Sequence, residues 1–187
     1  MKIIKTKLQD CLIIEPKIFG DERGFFLEGY HEERYFDAGI KEHFVQDNRS
    51  RSSQNVLRGL HFQKTKPQGK LVTVTLGEVF DVAVDLRPDS KTFGQYEAVI
   101  LSGENKLQFY IPPGFAHGFC VLSKSADFQY KCTDYYDPND ESGLLWSDSD
   151  IGIKWPIKAP LLSKKDAMQP LLLEITEKLR LGWKDNG

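Results

Sequence analysis

The sequence predicts an all-β fold, an antiparallel barrel or sandwich with minor helices, as a single domain over residues 1–187. Three observations predict it. Short segments rich in β-branched and aromatic residues recur along the chain. The breaks between them carry Gly, Pro, Asn, Asp and Ser, the residues of tight turns. Only two segments read as helix. A chain of 187 residues is long enough to bury a sizeable core.

The elements follow in chain order. MKIIKTKLQDCLIIEPK (1–17) has apolar runs of two or three residues, broken by Asp10 and Glu15. It is therefore not expected to be a signal peptide. HEERYFDAGI (31–40) reads as a short helix, with an acidic first turn before Tyr35 and Phe36 and with Gly39 to end it. LVTVTLG (71–77) and VFDVAVDLR (79–87) read as strands, and Pro88-Asp89-Ser90 as the loop after them. YEAVILS (96–102) and KLQFYIP (106–112) are two more strands, joined by Ser102-Gly103-Glu104-Asn105. LLLEITEKLR (171–180) follows Pro170 and places Leu171, Leu172, Ile175 and Leu179 on one helical face.

Composition excludes some partners. The chain is 40% hydrophobic and 12% aromatic, and its formal net charge is −2. No global field draws it to nucleic acid or to a membrane surface, and no stretch has the length of a membrane span. Cys11, Cys120 and Cys132 show no paired spacing and read as reduced thiols of a cytoplasmic protein.

Two histidine-bearing segments carry the chemistry. One is Gly59-Leu60-His61-Phe62-Gln63, followed by Lys70 and Gly77; the other is Pro112-Pro113-Gly114-Phe115-Ala116-His117. Together they resemble the two signature motifs of the cupin superfamily, which implies a jelly-roll β barrel. Metal-binding members carry His-x-His, a Glu and a further His. Here Gln63 stands at the second His and Lys70 at the Glu. Two imidazoles are too few for a catalytic metal site, and an ammonium among them would repel a divalent cation. The expectation is a metal-free site that needs no cofactor. A lone histidine is usually a hydrogen-bonded core residue, but two at paired motif positions point to a pocket.

The resemblance sharpens over nine ordered segments: FGDERGFFLE (19–28), FVQDNRSRS (44–52), NVLRGLHFQ (55–63), QGKLV (68–72), GEVFDVAVDLR (77–87), FGQYEAVILSGENK (93–106), IPPGFAHGF (111–119), YKCTDYYDP (130–138) and LSKKDA (162–167). They resemble the dTDP-4-dehydrorhamnose 3,5-epimerases. That resemblance implies epimerisation at C3 and C5 of dTDP-4-dehydro-6-deoxy-D-glucose, in the route to dTDP-L-rhamnose for cell-surface polysaccharide such as lipopolysaccharide. Both carbons flank the C4 ketone, so a base, an acid on the opposite face and a donor for the enolate oxygen serve both inversions.

The family pattern assigns residues to those needs. His61 matches the base, whose ordinary pKa lies near working pH, and Asp166 its orienting carboxylate. Lys70 matches the charge that meets the enolate, and Tyr130 the acid, a phenol that is protonated at neutral pH. Arg23 and Arg58 resemble the phosphate-side arginines. Glu28 and the Gln46-Asp47-Asn48 run resemble nucleoside and sugar contacts, Tyr136 the aromatic that stacks on thymine, and Phe26 an added apolar contact. His117, Glu141 and Lys165 fall at further ligand-contact positions. In this family the RGFFLE region is exchanged between subunits, which implies a homodimer with shared active sites.

Three rivals stay open on the sequence. An epimerase of one position only, C3 or C5, would use the same base, lysine and tyrosine. A metal-dependent cupin is opposed by Gln63 and Lys70, and a catalytically dead sugar-nucleotide binder by the complete His61, Asp166, Tyr130 and Lys70 set.

Overall fold

The structure is a computed structural model and describes residues 1–182. The chain opens with β1 (Lys2–Lys5) and β2 (Leu12–Glu15), then a hairpin of β3 (Ile18–Asp21) and β4 (Gly24–Leu27), then helix α1 (Glu32–Asp37). Eight longer elements build the body: β5 (Gln46–Ser53), β6 (Leu57–Gln63), β7 (Lys70–Leu76), β8 (Glu78–Asp85), β9 (Tyr96–Ser102), β10 (Gln108–Ile111), β11 (Phe115–Val121) and β12 (Ser125–Cys132). A short β13 (Glu141–Gly143) and helix α2 (Leu172–Gly182) complete it.

Two antiparallel sheets face each other. One runs β1-β2-β10-β7-β12-β5, and the other runs β13-β6-β11-β8-β9. Apart from the β1–β2 and β8–β9 pairs, neighbours from β5 to β13 alternate between these sheets, as in the jelly-roll barrel the sequence predicts. Val72, Val74, Phe109 and Phe128 from the first sheet pack against Val79, Ala83, Leu101 and Phe119 from the second. This buried layer is the main core. The four strands expected at 71–77, 79–87, 96–102 and 106–112 are β7, β8, β9 and β10.

The helices cover outer faces. Leu172, Ile175 and Leu179 of α2 pack on Val82, Val84 and Leu60 outside the second sheet. Leu171, expected on the same apolar face, is 40% exposed. It stands one residue before the helix, where its N–H donates to the Glu174 carboxylate at 2.7 Å and caps the first turn. Tyr35 of α1 is buried against Ile14, Leu71 and Tyr110 outside the first sheet, while Phe36 faces solvent. The helix stops before Gly39, whose φ of +103° suits glycine. All three cysteines are buried free thiols. Among the described residues no helix is long and apolar enough to cross a membrane.

Candidate active site

A cavity of about 370 Å³ lies between the sheets, with His61 and His117 on one wall and Lys70 and Tyr130 on the other. Strand pairing places these groups. His61 of β6 sits opposite His117 of β11 in register. Lys70 of β7 sits opposite Cys132 of β12, two residues from Tyr130. Gly59 permits the close approach of β6 to β11: its φ is +116°, and a Cβ there would lie 2.6 Å from the Gly118 Cα and 2.7 Å from the His117 carbonyl oxygen.

His61 is held by a carboxylate. Its Nε2 lies 2.6 Å from Oδ1 of Asp166, which is 4% exposed. Asp166 opens a 3-10 turn, and its N–H donates to the Ser163 hydroxyl at 3.0 Å. The segment before it is docked on the barrel by the parallel bridge between Val56 and Leu161. Burial pushes the Asp166 carboxyl up, but hydrogen bonds from His61, Ser163 and the Gly59 backbone outweigh it and hold the group below the ordinary carboxylate range. With Nε2 facing Asp166, the Nδ1 of His61 faces the cavity side, 3.9 Å from Oε1 of Glu141.

Lys70 is partly buried in the cavity wall, and among the described residues its ammonium makes no salt bridge with a carboxylate at 4 Å or closer. It lies 5.8 Å from the Tyr130 ring centroid. Burial lowers its pKa, opposed by the Cys132 thiol and the Asp81 carboxylate. Tyr130 is pushed up to about 12, first by burial and then by Cys132, so its phenol holds its proton at neutral pH.

His117 is backed by a second carboxylate, Asp81, which sequence reasoning missed. Both Asp81 oxygens lie 3.1 Å from the His117 Nε2, and Asp81 is fully buried. Burial lowers the His117 pKa against the pull of Asp81, so a neutral ring donates from Nε2 and leaves Nδ1 as an acceptor. A signal was present: Asp81 shares the inward parity of Val79 and Ala83 in β8, where an unpaired carboxylate would be costly. Behind these groups, Phe128 stacks on Phe119 with centroids 3.9 Å apart and lies 5.9 Å from both His117 and Tyr130.

The rim is polar. The Glu141 carboxylate accepts from the Tyr136 hydroxyl at 2.7 Å and pairs with Lys165. Burial raises its pKa, but Lys165 and Tyr136 win and hold it low. Arg58 donates through Nε to the Ser52 hydroxyl at 3.0 Å. Asn48 faces the cavity and donates to Cys132 Sγ at 3.5 Å. Among the described residues no three His, Cys, Asp or Glu side chains group as metal ligands would.

The cavity thus gathers His61, Lys70, Tyr130, Asp166, Asn48, Arg58, His117, Glu141 and Lys165. Tyr136 reaches its rim through Glu141. The other expected site residues lie elsewhere in the single chain. Gln46 spends its amide inside the protein, donating to Asn48 at 3.0 Å and accepting from the Tyr136 N–H at 2.9 Å. Asp47 faces away from Asn48 on β5, because alternate residues of a strand face opposite ways; it pairs with Lys131 at 2.9 Å and lines an adjoining groove of about 700 Å³ that shares Asn48, Arg49 and Tyr130 with the cavity. Arg23, Phe26 and Glu28 ride on or beside the β3–β4 hairpin. Arg23 pairs with Asp21, Glu28 pairs with Arg34, and Phe26 is 68% exposed.

A family model described as dTDP-4-dehydrorhamnose 3,5-epimerase matches residues 5–174. A relative from Salmonella typhimurium (strain LT2), a dTDP-4-dehydrorhamnose 3,5-epimerase, is 58% identical over 175 residues, covering 92% of this chain and 96% of its own length. The enzyme of the same name from Escherichia coli K12 is 52% identical over 184 residues, covering 97% and 98%. The crystal structure of dTDP-6-deoxy-D-glucose-3,5-epimerase from Legionella pneumophila Philadelphia 1, in complex with dTDP-4-keto-L-rhamnose, superposes with a TM-score of 0.92. It is 57% identical and covers 95% of this chain and 96% of that one.

Proposed function

The chain belongs to the dTDP-4-dehydrorhamnose 3,5-epimerase family, and from its site we propose how it inverts the C3 and C5 centres of dTDP-4-dehydro-6-deoxy-D-glucose to form dTDP-4-dehydro-L-rhamnose. One observation carries the reading: a carboxylate-backed histidine, His61, and a protonated phenol, Tyr130, enter one cavity from opposite sheets, with the partly buried Lys70 beside the phenol.

His61 removes the proton α to the C4 ketone through the nitrogen not bound by Asp166. Asp166 steadies the imidazolium that forms. The electron pair moves onto the ketone oxygen as an enolate. Lys70 stabilises that charge, and one such preorganised donor lowers a barrier by roughly 3–4 kcal/mol. Tyr130 then protonates the carbon from the other face. Water then takes the proton from the His61 imidazolium and returns one to the Tyr130 phenolate, and the ring turns about the same reset groups for the second centre, since C3 and C5 are both α to C4. Arg58 meets the diphosphate and Tyr136 stacks on thymine. This reading uses no metal and no organic cofactor.

The protein works as a homodimer of single-domain chains in the cytoplasm, supplying a sugar donor for cell-surface polysaccharide. The hairpin supports the dimer: Ile18, Phe19, Phe25 and Phe26 are 45–68% exposed on it, and apolar surface of that kind needs a partner. A second chain's hairpin would bring Arg23, Phe26 and Glu28 to the cavity that a single chain leaves without them.

The test is incubation of the purified protein with dTDP-4-dehydro-6-deoxyglucose in deuterated water, with label read by NMR at each carbon. Inversion with label at both C3 and C5 is expected. Label at one carbon alone would make it a single-position epimerase, and label at neither would overturn the reading.

A further inference from the structure

Gln63 ends β6 two residues after His61 and is 3% exposed. Its side-chain amide is fully spent on backbone. Nε2 donates to the Lys66 carbonyl at 2.8 Å and to the Tyr135 carbonyl at 3.2 Å. Oε1 accepts from the Asp137 N–H at 2.8 Å. No Nε2 hydrogen is left for a ligand.

These bonds fall on either side of Tyr136. The residue before it gives a carbonyl to Gln63, and the residue after it gives an N–H. The Tyr136 N–H itself goes to Gln46 of β5. Two glutamines, one from each sheet, therefore hold three successive residues of one loop. The neighbouring turn belongs to the same unit, because the Asp140 carboxylate accepts from the N–H groups of Thr65 and Lys66 at 2.9 Å each.

The chemistry demands an amide at position 63. A neutral imidazole offers one donor and one acceptor, and an ionised carboxylate offers acceptors only. Only Gln or Asn supplies two donors and an acceptor, and Asn is shorter by a methylene. Leaving these backbone groups unpaired in a buried place would cost the loop its shape.

We propose that Gln63 is a positioning residue for the nucleotide: it fixes the Tyr135–Asp137 segment so that the Tyr136 ring stands ready for the base of a pyrimidine nucleoside diphosphate. This rests on the reading of Tyr136 as the thymine platform. An exposed aromatic on a loose loop would lose conformational entropy on every binding event, and a loop held in advance loses little. Gln63 thus acts on affinity through Tyr136 and not on proton transfer.

The experiment uses the full-length protein and dTDP as the probe, with binding measured by calorimetry. Gln63→Leu keeps the volume and removes all three bonds. Its dTDP dissociation constant and the KM for the dTDP-sugar should both rise about tenfold, while kcat changes by less than about threefold. In a Tyr136→Ala background the same change should weaken dTDP binding no further, as expected of a residue that acts through Tyr136. An additive tenfold loss in that background, a fall in kcat with dTDP affinity intact, or no change at all would overturn the proposal. If the leucine variant does not fold, Gln63→Glu, which can accept from Asp137 but cannot donate, should give the same split. Hydrogen exchange of the free wild-type protein gives a second measurement: the Asp137 amide should be protected without nucleotide, and free exchange there would overturn the clamp. Wild-type protein that fails to bind dTDP would instead overturn the reading of the site itself.

Discussion

His61 and Asp166 stand 105 residues apart in the chain and 2.6 Å apart in the fold. The proposed base is thus completed by a segment from the far end of the chain, which docks beside β6. Asp166→Asn should lower kcat by roughly 10²–10⁴-fold, because an amide orients the ring without stabilising its charged form. His61→Asn should abolish solvent exchange at both C3 and C5.

The same pair should show in acid stability. Asp166 is held below the ordinary carboxylate range in the folded state. A depressed carboxyl stabilises the fold above its unfolded pKa of about 3.9 and loses that contribution as pH falls through its folded value. Wild-type stability should therefore drop below about pH 4, and Asp166→Asn should lack part of that drop. Thermal unfolding between pH 3 and 6 measures it, and identical pH curves for the two proteins would refute it.

Tyr130→Phe should separate proton exchange from inversion. The base remains and the ring keeps its packing on Phe128. Deuterium should still enter by return from the same face, while inversion falls by roughly 10²–10⁴-fold. Inversion of both centres at the wild-type rate would assign the acid to another group.

Lys70 should set the alkaline limit. Burial lowers its pKa from 10.5, and Tyr130 is raised to about 12. As pH rises, the Lys70 cation is lost first, so kcat/KM should fall below pH 10.5 with Tyr130 still protonated. Lys70→Ala should lower kcat and kcat/KM together by roughly 10²–10³-fold. Whatever activity Lys70→Arg retains should not fall along the same limb, since a guanidinium does not titrate there. A raised KM with kcat unchanged in Lys70→Ala would make it a binding residue only.

The proposed exchange of hairpins predicts complementation. Arg23→Ala and His61→Ala proteins, each inactive, should recover part of the activity when mixed under subunit exchange. Full wild-type activity in a species that sediments as a monomer would refute it.

Gly59 should tolerate no side chain. A Cβ there meets backbone at 2.6 and 2.7 Å, at a positive φ. Gly59→Ala should destabilise by about 2–3 kcal/mol or more, lowering the melting midpoint by roughly 5–10 °C for a domain of this size. An unshifted midpoint would mean that β6 moves aside freely.

Legibility in the sequence followed burial. β7 to β10 bury one face or both, so their apolar pattern announces strands. β5 does not: QDNRSRSS is polar throughout, because one face looks into the cavity and the other away from the barrel. That is also why, of the adjacent Asp47 and Asn48, only Asn48 reaches the cavity. His61, Lys70 and His117 came from motif spacing, and Tyr130 and Asp166 from the family resemblance. Asp81 was hidden in an apolar strand. The hairpin residues are a different case, since the place proposed for them is in the site of a second chain.

Phe128 is a spacer between the walls of the reaction chamber. Its ring lies on Phe119 across the sheet gap, and its centroid is 5.9 Å from those of both His117 and Tyr130. The gap between the histidine wall and the tyrosine wall therefore rests partly on hydrophobic packing. Thinning that layer would change the spacing of His117 and Tyr130 with both side chains still present.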